Sequence, residues 1–217
     1  MNEINNEKIV DFINNIYIKN KVSEELEDLR IYGQDHNIPI IHREVAEFIK
    51  SILVLKKPKK ILEIGTAIGY SSIFFANYAL DAQITTIEIN EEMCKIAREN
   101  IKKFGFEDRI TLLEGDALDL IGSLEDKFDF VFIDAAKGQY IKFFELIEEK
   151  LDDKAVIISD NILFRGMVGD DDLVKRRKIT IVKRLRKYLD MLVANENYTS
   201  SILQIGDGLA LTIKEAK

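Results

Sequence analysis

Short apolar segments alternate with helical patterns along the chain after Pro58, and this alternation constrains the fold more than any other feature. Strands are predicted at residues 60–64, 83–88, 109–114, 128–133 and 155–159, with helices at residues 71–78, 91–104 and 139–150. Strands joined by helical crossovers run parallel, so their carboxyl ends meet at one edge of the sheet. The pattern therefore predicts an α/β sheet with a ligand crevice at that edge.

The two ends of the chain depart from this alternation. Residues 4–56 have apolar side chains at helical spacing, such as Val45, Phe48 and Ile49, and residues 174–194 predict one long helix. Residues 198–205 and 209–214 read as strands around a Gly-Asp-Gly turn at 206–208, which is typical of a hairpin. The expected fold is a Rossmann-like seven-stranded mixed sheet, mostly parallel with an antiparallel last strand. Helices should cover both faces, with extra helices at the N-terminus.

Length and composition fit one domain spanning residues 1–217, with residues 1–56 as a helical cap and 57–217 as the Rossmann-like core. The single cysteine, Cys94, excludes an internal disulfide framework and is interpreted as a partly buried thiol on a helix. The net charge of −7 argues against nucleic-acid binding over the whole surface but leaves room for a local basic patch. We expect a cytoplasmic protein without a membrane partner, since no signal-peptide pattern or membrane-length apolar run occurs.

A glycine turn follows the first predicted strand, within Ile61–Ser72. Gly65 and Gly69 are spaced G-x-x-x-G, where a dinucleotide turn has G-x-G-x-x-G. Glu63 would bring negative charge to the place where a pyrophosphate would bind. The motif therefore favours a cationic or amine-bearing ligand, although a glycine-rich turn without any ligand is an equal alternative when the motif is taken alone.

Acidic residues end the first three predicted strands: Glu63, Glu88 and Asp116. A carboxylate after the second strand can accept hydrogen bonds from both ribose hydroxyls, and Asp116 falls where an adenine edge would lie. Each acid alone is consistent with a solvated strand end. Together with the glycine turn, they predict a site for an adenosine that carries no phosphate.

The next two strands end in Asp134 and in the pair Asp160-Asn161. Adjacent strands would place the two carboxylates roughly 5 Å apart. Buried carboxylates at that distance repel each other unless they are protonated or bridged by a cation. With the oxygen of Asn161 they form a set suited to Mg²⁺, Mn²⁺ or Ca²⁺, of which Mg²⁺ is favoured. A pair of hydrogen-bonding aspartates without metal is the alternative.

The runs Glu63–Ser71, Ile87–Ile89 and Gly115–Ala117 resemble the cofactor motifs of class I S-adenosylmethionine-dependent methyltransferases. With the acids at the fourth and fifth strands, the chain resembles the metal-dependent O-methyltransferases that include the catechol and caffeoyl-CoA enzymes. The resemblance covers nearly the whole chain and implies S-adenosylmethionine and Mg²⁺ as cofactors. The cofactor-binding residues that it implies are Ile41, Glu63, Gly65, Thr66, Gly69, Tyr70, Ser71, Glu88, Asp116, Ala117 and Asp134.

Lys137, three residues after Asp134, matches the position of the family's catalytic lysine. A divalent cation can chelate an acceptor with two neighbouring oxygens and aim one of them at the sulfonium methyl group. Near a cation the ammonium form of Lys137 would be disfavoured, so this lysine could accept the hydroxyl proton. A solvated loop lysine is the alternative. His36 and His42 lie at no strand end and are expected at the surface or an entrance, without a catalytic role.

Eight basic residues occur in the thirteen positions from Lys175 to Lys187, after an isolated Arg165. On a helix, Lys175, Arg176 and Lys183 would line one rim near the active-site edge and could contact phosphates of a nucleic acid. A solvated basic face, balanced by a neighbour or a dimer partner, is an equal alternative, and caffeoyl-CoA also carries phosphates. The residues assigned to substrate on this basis are Arg165, Lys175, Arg176 and Arg177.

The segment 160–166 followed by this basic helix most resembles the bacterial enzymes that methylate 5-hydroxyuridine at the tRNA wobble position. That resemblance implies tRNA as partner and 5-methoxyuridine as product. The first alternative is a small-molecule catechol or caffeoyl-CoA-type O-methyltransferase. The second is a noncatalytic RNA-binding or assembly protein that keeps the fold, which the intact acidic set argues against. The family resemblance also suggests a homodimer.

Overall fold

The computed structural model describes residues 6–18 and 23–216, and within them seven strands form one sheet. The strands are β1 (Lys60–Ile64), β2 (Gln83–Glu88), β3 (Ile110–Glu114), β4 (Phe128–Ile133), β5 (Leu151–Asp160), β6 (Tyr198–Leu203) and β7 (Leu209–Lys214). The helices are α1 (Glu7–Ile18), α2 (Glu24–Asp35), α3 (Arg43–Lys56), α4 (Tyr70–Tyr78), α5 (Glu91–Lys103), α6 (Ala117–Leu120), α7 (Tyr140–Glu148) and α8 (Ile179–Ala194).

The sheet has the order β3-β2-β1-β4-β5-β7-β6. The first five strands pair in parallel, whereas β7 pairs antiparallel with both β5 and β6. Strand order reverses between β1 and β4, which is the position where ligands bind in open α/β sheets. The predicted fold class, a mixed Rossmann-like sheet with an antiparallel last strand, is confirmed.

Helices cover both faces of the sheet because successive strand residues point to opposite sides. Ile61 belongs to a core cluster with α2, α3 and α4, while its neighbour Leu62 belongs to a second cluster with α7 and α8. Both faces are therefore buried, which explains why the central strands are apolar almost throughout. The extra N-terminal helices pack on the same side as α4.

Side-chain caps fix where two of the helices begin. Ser23 accepts a hydrogen bond from the Leu26 amide at the start of α2, and Asn90 caps α5 through the amides of Glu92 and Met93.

Within the described residues, no helix is long and apolar enough to cross a membrane.

Most predicted boundaries move by no more than two residues, but two predicted starts move by four or five. β5 begins at Leu151, four residues early, because Leu151 already pairs with Phe128 and a register shift before Phe130 accommodates the extra length. α8 begins at Ile179 and not at residue 174, because the chain first forms a short 3-10 turn at Asp171–Leu173 that Asp170 caps. A second 3-10 turn spans Arg176–Lys178. Predicted helical residues 4, 5 and 19–22 lie outside the described residues.

Candidate active site

The loop between β1 and α4 lies against the start of the loop after β4. Gly65 has φ +101°, and its amide donates to the Ile87 carbonyl oxygen at 2.9 Å. A Cβ on Gly65 would lie 2.1 Å from the carbonyl oxygen of Asp134. Gly69, with φ +82°, forms the N-cap of α4. Only glycine fits at position 65, because both its conformation and its contact exclude a side chain.

Glu63 is fully buried behind this loop. Its Oε2 atom accepts hydrogen bonds from the hydroxyls of Ser72 and Thr86, and the Thr86 hydroxyl also bonds that of Thr66. Burial raises the pKa of the Glu63 carboxyl to about 7. Oε1 has no partner among the described residues. Glu63 therefore supports the loop through these hydrogen bonds. The sequence predicts instead that its carboxylate contacts the cofactor, but Glu63 does not line the cavity described next.

A first cavity of about 340 Å³ opens at the carboxyl edge between β1, β2 and β4. Its size suits a small-molecule ligand. Nine of the eleven predicted cofactor residues line it, and Glu63 and Gly69 do not. The nine are Ile41, Gly65, Thr66, Tyr70, Ser71, Glu88, Asp116, Ala117 and Asp134.

Two acids of the first cavity are held by backbone hydrogen bonds. Glu88 accepts from the Ala67 amide through Oε2 and from the Asn90 amide through Oε1, each at 2.9 Å. This ties the end of β2 to the glycine loop. Asp116 caps α6 by accepting from the Leu118 amide at 2.9 Å. Both carboxylates are thus fixed at the cavity wall.

Asp134 and Asp160 lie at the adjacent ends of β4 and β5, as predicted. Asp160 is fully buried; its Oδ1 accepts from the Asn161 amide at 2.6 Å, and its Oδ2 has no partner among the described residues. Burial raises the pKa of both carboxyls, and for Asp160 the neighbouring Asp134 raises it further. A bound cation would stabilise a buried carboxylate oxygen that has no hydrogen-bond partner and lies beside a second carboxylate.

The donor set formed by Asp134, Asp160 and Asn161 therefore fits a hard divalent ion. It contains two acids and one amide. No group of three or more His, Cys, Asp or Glu side chains with metal-binding geometry occurs in the described part of the chain. Any site here is consequently less acidic than an all-carboxylate one.

A second cavity, of about 740 Å³, adjoins the first. Asp134 and Lys137 line both cavities, and the Lys137 Nζ lies 3.6 Å from Asp134 Oδ1. Asn161 and Arg165 line the second cavity alone. Asp134 and Lys137 thus lie where the two cavities meet, whereas the predicted substrate residues Lys175, Arg176 and Arg177 line neither cavity.

Sequence reasoning missed Asp207, which lines the second cavity from the β6–β7 turn. Because β7 pairs antiparallel with β5, with Leu209 opposite Asp160, the residues before β7 reach the same edge as the strand ends. The Gly-Asp-Gly signal predicted the turn but not this location. His42 lies at the rim of the second cavity, whereas His36 stacks on Tyr32 and lines neither cavity.

Three residues of the basic segment are engaged within the protein. Arg186 donates to the Val168 carbonyl at 2.9 Å and pairs with Asp171 at 2.7 Å. Arg184 donates to the carbonyl oxygen of Gly138, and Lys178 lies over the ring of Phe164. These side chains therefore contact the loop after β5 and the turn after β4 and are not free to bind a ligand.

Five other basic side chains are exposed and make no hydrogen bond or ion pair with any described residue: Lys175, Arg176, Arg177, Lys183 and Lys187. The predicted helical rim is wrong in one respect, since Lys175 and Arg176 precede α8. Free cations nevertheless concentrate between residues 175 and 187.

The strand order, the antiparallel β7 and a cavity at the β1–β4 reversal define a Rossmann-like methyltransferase fold. The chain belongs to the O-methyltransferase family, whose sequence profile matches residues 17–215. A structure from Staphylococcus aureus, described as a candidate caffeoyl-CoA O-methyltransferase, is 36% identical with a TM-score of 0.90, covering 96% of this chain and 100% of that one.

Two further relatives bear on the activity. A catechol O-methyltransferase from Niastella koreensis is 30% identical over 77% of this chain and 78% of its own. An O-methyltransferase from Bacillus cereus, solved in complex with SAH (S-adenosylhomocysteine), is 26% identical with a TM-score of 0.79, covering 89% of this chain and 91% of that one. This chain is accordingly an S-adenosylmethionine-dependent O-methyltransferase of the catechol and caffeoyl-CoA type.

Proposed function

We propose that this chain methylates one of two neighbouring oxygens on its acceptor with the help of a divalent cation. The observation that carries the proposal is the junction of the two cavities, since Asp134 and Lys137 line both. The first cavity would hold the cofactor and the second the acceptor. An acceptor oxygen at the junction would then face the methyl group that S-adenosylmethionine supplies.

In this proposal, Asp134, Asp160 and Asn161 hold Mg²⁺, with Mn²⁺ or Ca²⁺ as substitutes. The ion would lower the pKa of an acceptor hydroxyl, and a second neighbouring oxygen would fix the acceptor's orientation. The unpartnered Oδ2 of Asp160 supports this assignment, because a buried carboxylate oxygen without a donor is costly otherwise.

Lys137 would be the base that takes the acceptor's hydroxyl proton on its Nζ atom. Its position at the junction of the two cavities supports this role. In the first cavity, Glu88 would accept hydrogen bonds from the ribose, and Asp116 with Ala117 would border adenine. Glu63 would act through the loop and not by contact.

For the acceptor, we propose 5-hydroxyuridine at the tRNA wobble position, with 5-methoxyuridine as product. The 5-hydroxyl and 4-carbonyl oxygens of that base are neighbours, so one cation could chelate both. The free cations Lys175, Arg176 and Arg177 support an anionic acceptor, since the rest of the chain is acidic. Wobble bases lie in a single-stranded loop that a protein can reach without opening a duplex.

The second candidate acceptor is a small catechol or a caffeoyl-CoA-type phenylpropanoid. The catechol and caffeoyl-CoA enzymes among the relatives favour it, and the same cation chemistry serves it. In this case the basic segment would contact the phosphates of coenzyme A or would only be solvated.

Parallel assays with two acceptors separate these candidates. Purified protein, S-adenosylmethionine and Mg²⁺ are incubated with tRNA that contains wobble 5-hydroxyuridine, and separately with catechol. Mass spectrometry of the products should find 5-methoxyuridine in the tRNA. Unmodified tRNA together with methylated catechol would transfer the assignment to the second candidate, and no methylation of either acceptor would reject both.

Charge reversal tests the basic segment. Replacing Arg176 and Arg177 with Glu should reduce tRNA methylation by at least about 10-fold and leave catechol methylation unchanged, because exposed cations act through phosphate contacts. The matched control is reversal of Lys102 and Lys103, an exposed pair at the end of α5. If both double variants lose tRNA activity equally, the loss reflects net charge and not this segment.

We further propose a homodimer and a single domain in which the N-terminal helices cap the core. The exposed apolar side chains of Ile9, Phe12 and Ile16 on α1 support a protein contact. Ile41, on the segment before α3, lines the first cavity, which supports one functional unit. Light scattering should give twice the 25.0 kDa chain mass, and a monomer would reject the dimer.

A further inference from the structure

We infer that Asp207 is a positioning residue of the second cavity: its carboxylate holds the main chain of Arg165 and so fixes the wall formed by Phe164 and Arg165. The inference rests on the proposed role of the second cavity as the acceptor site. Asp207 lies on the turn between β6 and β7, 42 residues further along the chain than Arg165.

The segment after β5 has a backbone that needs external support. Asn161, Phe164 and Arg165 have φ values of +55°, +47° and +59°. Residues with a Cβ adopt this left-handed conformation only at a steric cost, which is smaller for Asn than for Phe or Arg. Three such residues within five positions persist only where surrounding contacts hold them.

The β6–β7 turn supplies these contacts through three hydrogen bonds. The amides of Ile162 and Leu163 donate to the carbonyl oxygens of Gly208 and Asp207, each at 3.0 Å. The amide of Arg165 donates to Asp207 Oδ1. Only the third bond uses a side chain. Its donor, Arg165, has the largest positive φ of the three left-handed residues. A substitution at position 207 can therefore remove it while the other two remain.

Close packing keeps the turn itself in place. A Cβ on Gly208 would lie 2.3 Å from Leu163 Cγ, and one on Gly206 would lie 2.7 Å from Val45 Cγ2. The turn is thus wedged between α3 and the segment after β5. Because it is fixed on both sides, the carboxylate of Asp207 can act as a rigid anchor for Arg165.

Asp207 has a second conceivable role, as a negative charge facing the cavity. It is partly buried, and burial raises its pKa, while the hydrogen bond from the Arg165 amide and the nearby Lys137 oppose this shift. The two roles are separable by substitution. Asp207→Asn keeps an oxygen that can accept from the Arg165 amide but removes the charge, whereas Asp207→Ala removes both.

Hydrogen exchange of the full chain, measured by mass spectrometry without ligands, tests the anchor directly. In Asp207→Ala, peptides covering residues 161–168 should exchange at least about 10-fold faster, and in Asp207→Asn within about 2-fold of wild type. Unchanged exchange in the Ala variant would overturn the inference. Equally fast exchange in the Asn variant would also overturn it, since the charge and not the bond would then be responsible.

Kinetics and binding supply the second readout. The acceptor is whichever of the two wild type methylates. Asp207→Ala should raise the KM for this acceptor by about 10-fold, whereas Asp207→Asn should keep the wild-type KM. S-adenosylhomocysteine should bind both variants with the wild-type affinity. Weaker S-adenosylhomocysteine binding by the same factor would overturn a role confined to the second cavity. If wild type methylates neither acceptor, the proposed function fails, while the exchange experiment still decides the role of Asp207.

Discussion

The carbonyl oxygen of Asp134 lies 2.1 Å from the point where a Cβ on Gly65 would be. The amide of Asp134 also donates to the Ile64 carbonyl at 2.9 Å, so the ends of β1 and β4 are joined directly. Gly65 belongs to the first cavity, and Asp134 belongs to both cavities. The close contact of Gly65 with Asp134 therefore joins the wall of the first cavity to a residue that lines both.

Replacing Gly65 with Ala should lower the free energy of unfolding by about 2–4 kcal/mol, because the new methyl group meets backbone and φ +101° is strained. Urea denaturation measures this loss. Gly105→Ala is the matched control, since Gly105 has φ +71° but nothing within 4 Å of its Cβ position. Its cost should be only about 1 kcal/mol. Equal costs for the two variants would show that the contact with Asp134 is unimportant.

Replacing Glu63 with Gln should change how stability depends on pH. Burial raises the Glu63 pKa from 4.5 to about 7, so between these values the folded protein keeps a proton that the unfolded chain has released. The contribution of Glu63 to the free energy of unfolding is therefore fully present below pH 4.5. It is lost as pH rises to about 7, and the loss amounts to about 3 kcal/mol. A glutamine side chain cannot ionise, so the variant should lack this part of the slope. Parallel curves for the two proteins, from urea denaturation between pH 4.5 and 8, would contradict the assignment.

Replacing Arg186 with Ala should destabilise the protein by about 1–3 kcal/mol, because its guanidinium bonds the Val168 carbonyl and Asp171. Lys187→Ala, at the exposed and unpaired neighbouring position, should change stability by less than about 0.5 kcal/mol. Urea midpoints compare the two variants directly. A similar change in both variants would show that the hydrogen bonds of Arg186 contribute nothing measurable to stability.

Removing the divalent cation should abolish methylation without releasing the cofactor. A chelator should lower the rate by more than about 100-fold, and added Mg²⁺ should restore it, because the ion supplies several kcal/mol of charge stabilisation. Asp160→Asn should lose the response to Mg²⁺. S-adenosylhomocysteine affinity, measured by calorimetry, should persist in the variant because Asp160 does not line the first cavity. Full activity in the chelator would remove the metal from the proposal.

The parallel part of the sheet was predictable because its signals are local. Apolar runs, glycines and acids mark each strand end, and parallel topology then collects those ends at one edge. Glu88, Asp116 and Asp134 could be assigned to that edge without any coordinates. Burial of Glu63 could not, since both sheet faces are covered and the apolar pattern does not reveal which way its side chain points.

The second cavity was harder to predict because it depends on a pairing distant in sequence. β7 enters the sheet between β5 and β6, and only this insertion brings Asp207 beside the segment after β5. The start of α8 at Ile179 likewise depends on the turns before it, since the basic residues 175–178 have ordinary helical propensity.

The late position of the β6–β7 turn has a consequence for the order in which the site is made. Every described residue that lines the first cavity has been synthesised by Phe143, whereas the second cavity also needs Gly206 and Asp207, more than sixty residues later. A growing chain thus contains every described residue of the first cavity well before it contains those of the second. Changes after residue 160 can also alter the second cavity while leaving every residue that lines the first unchanged.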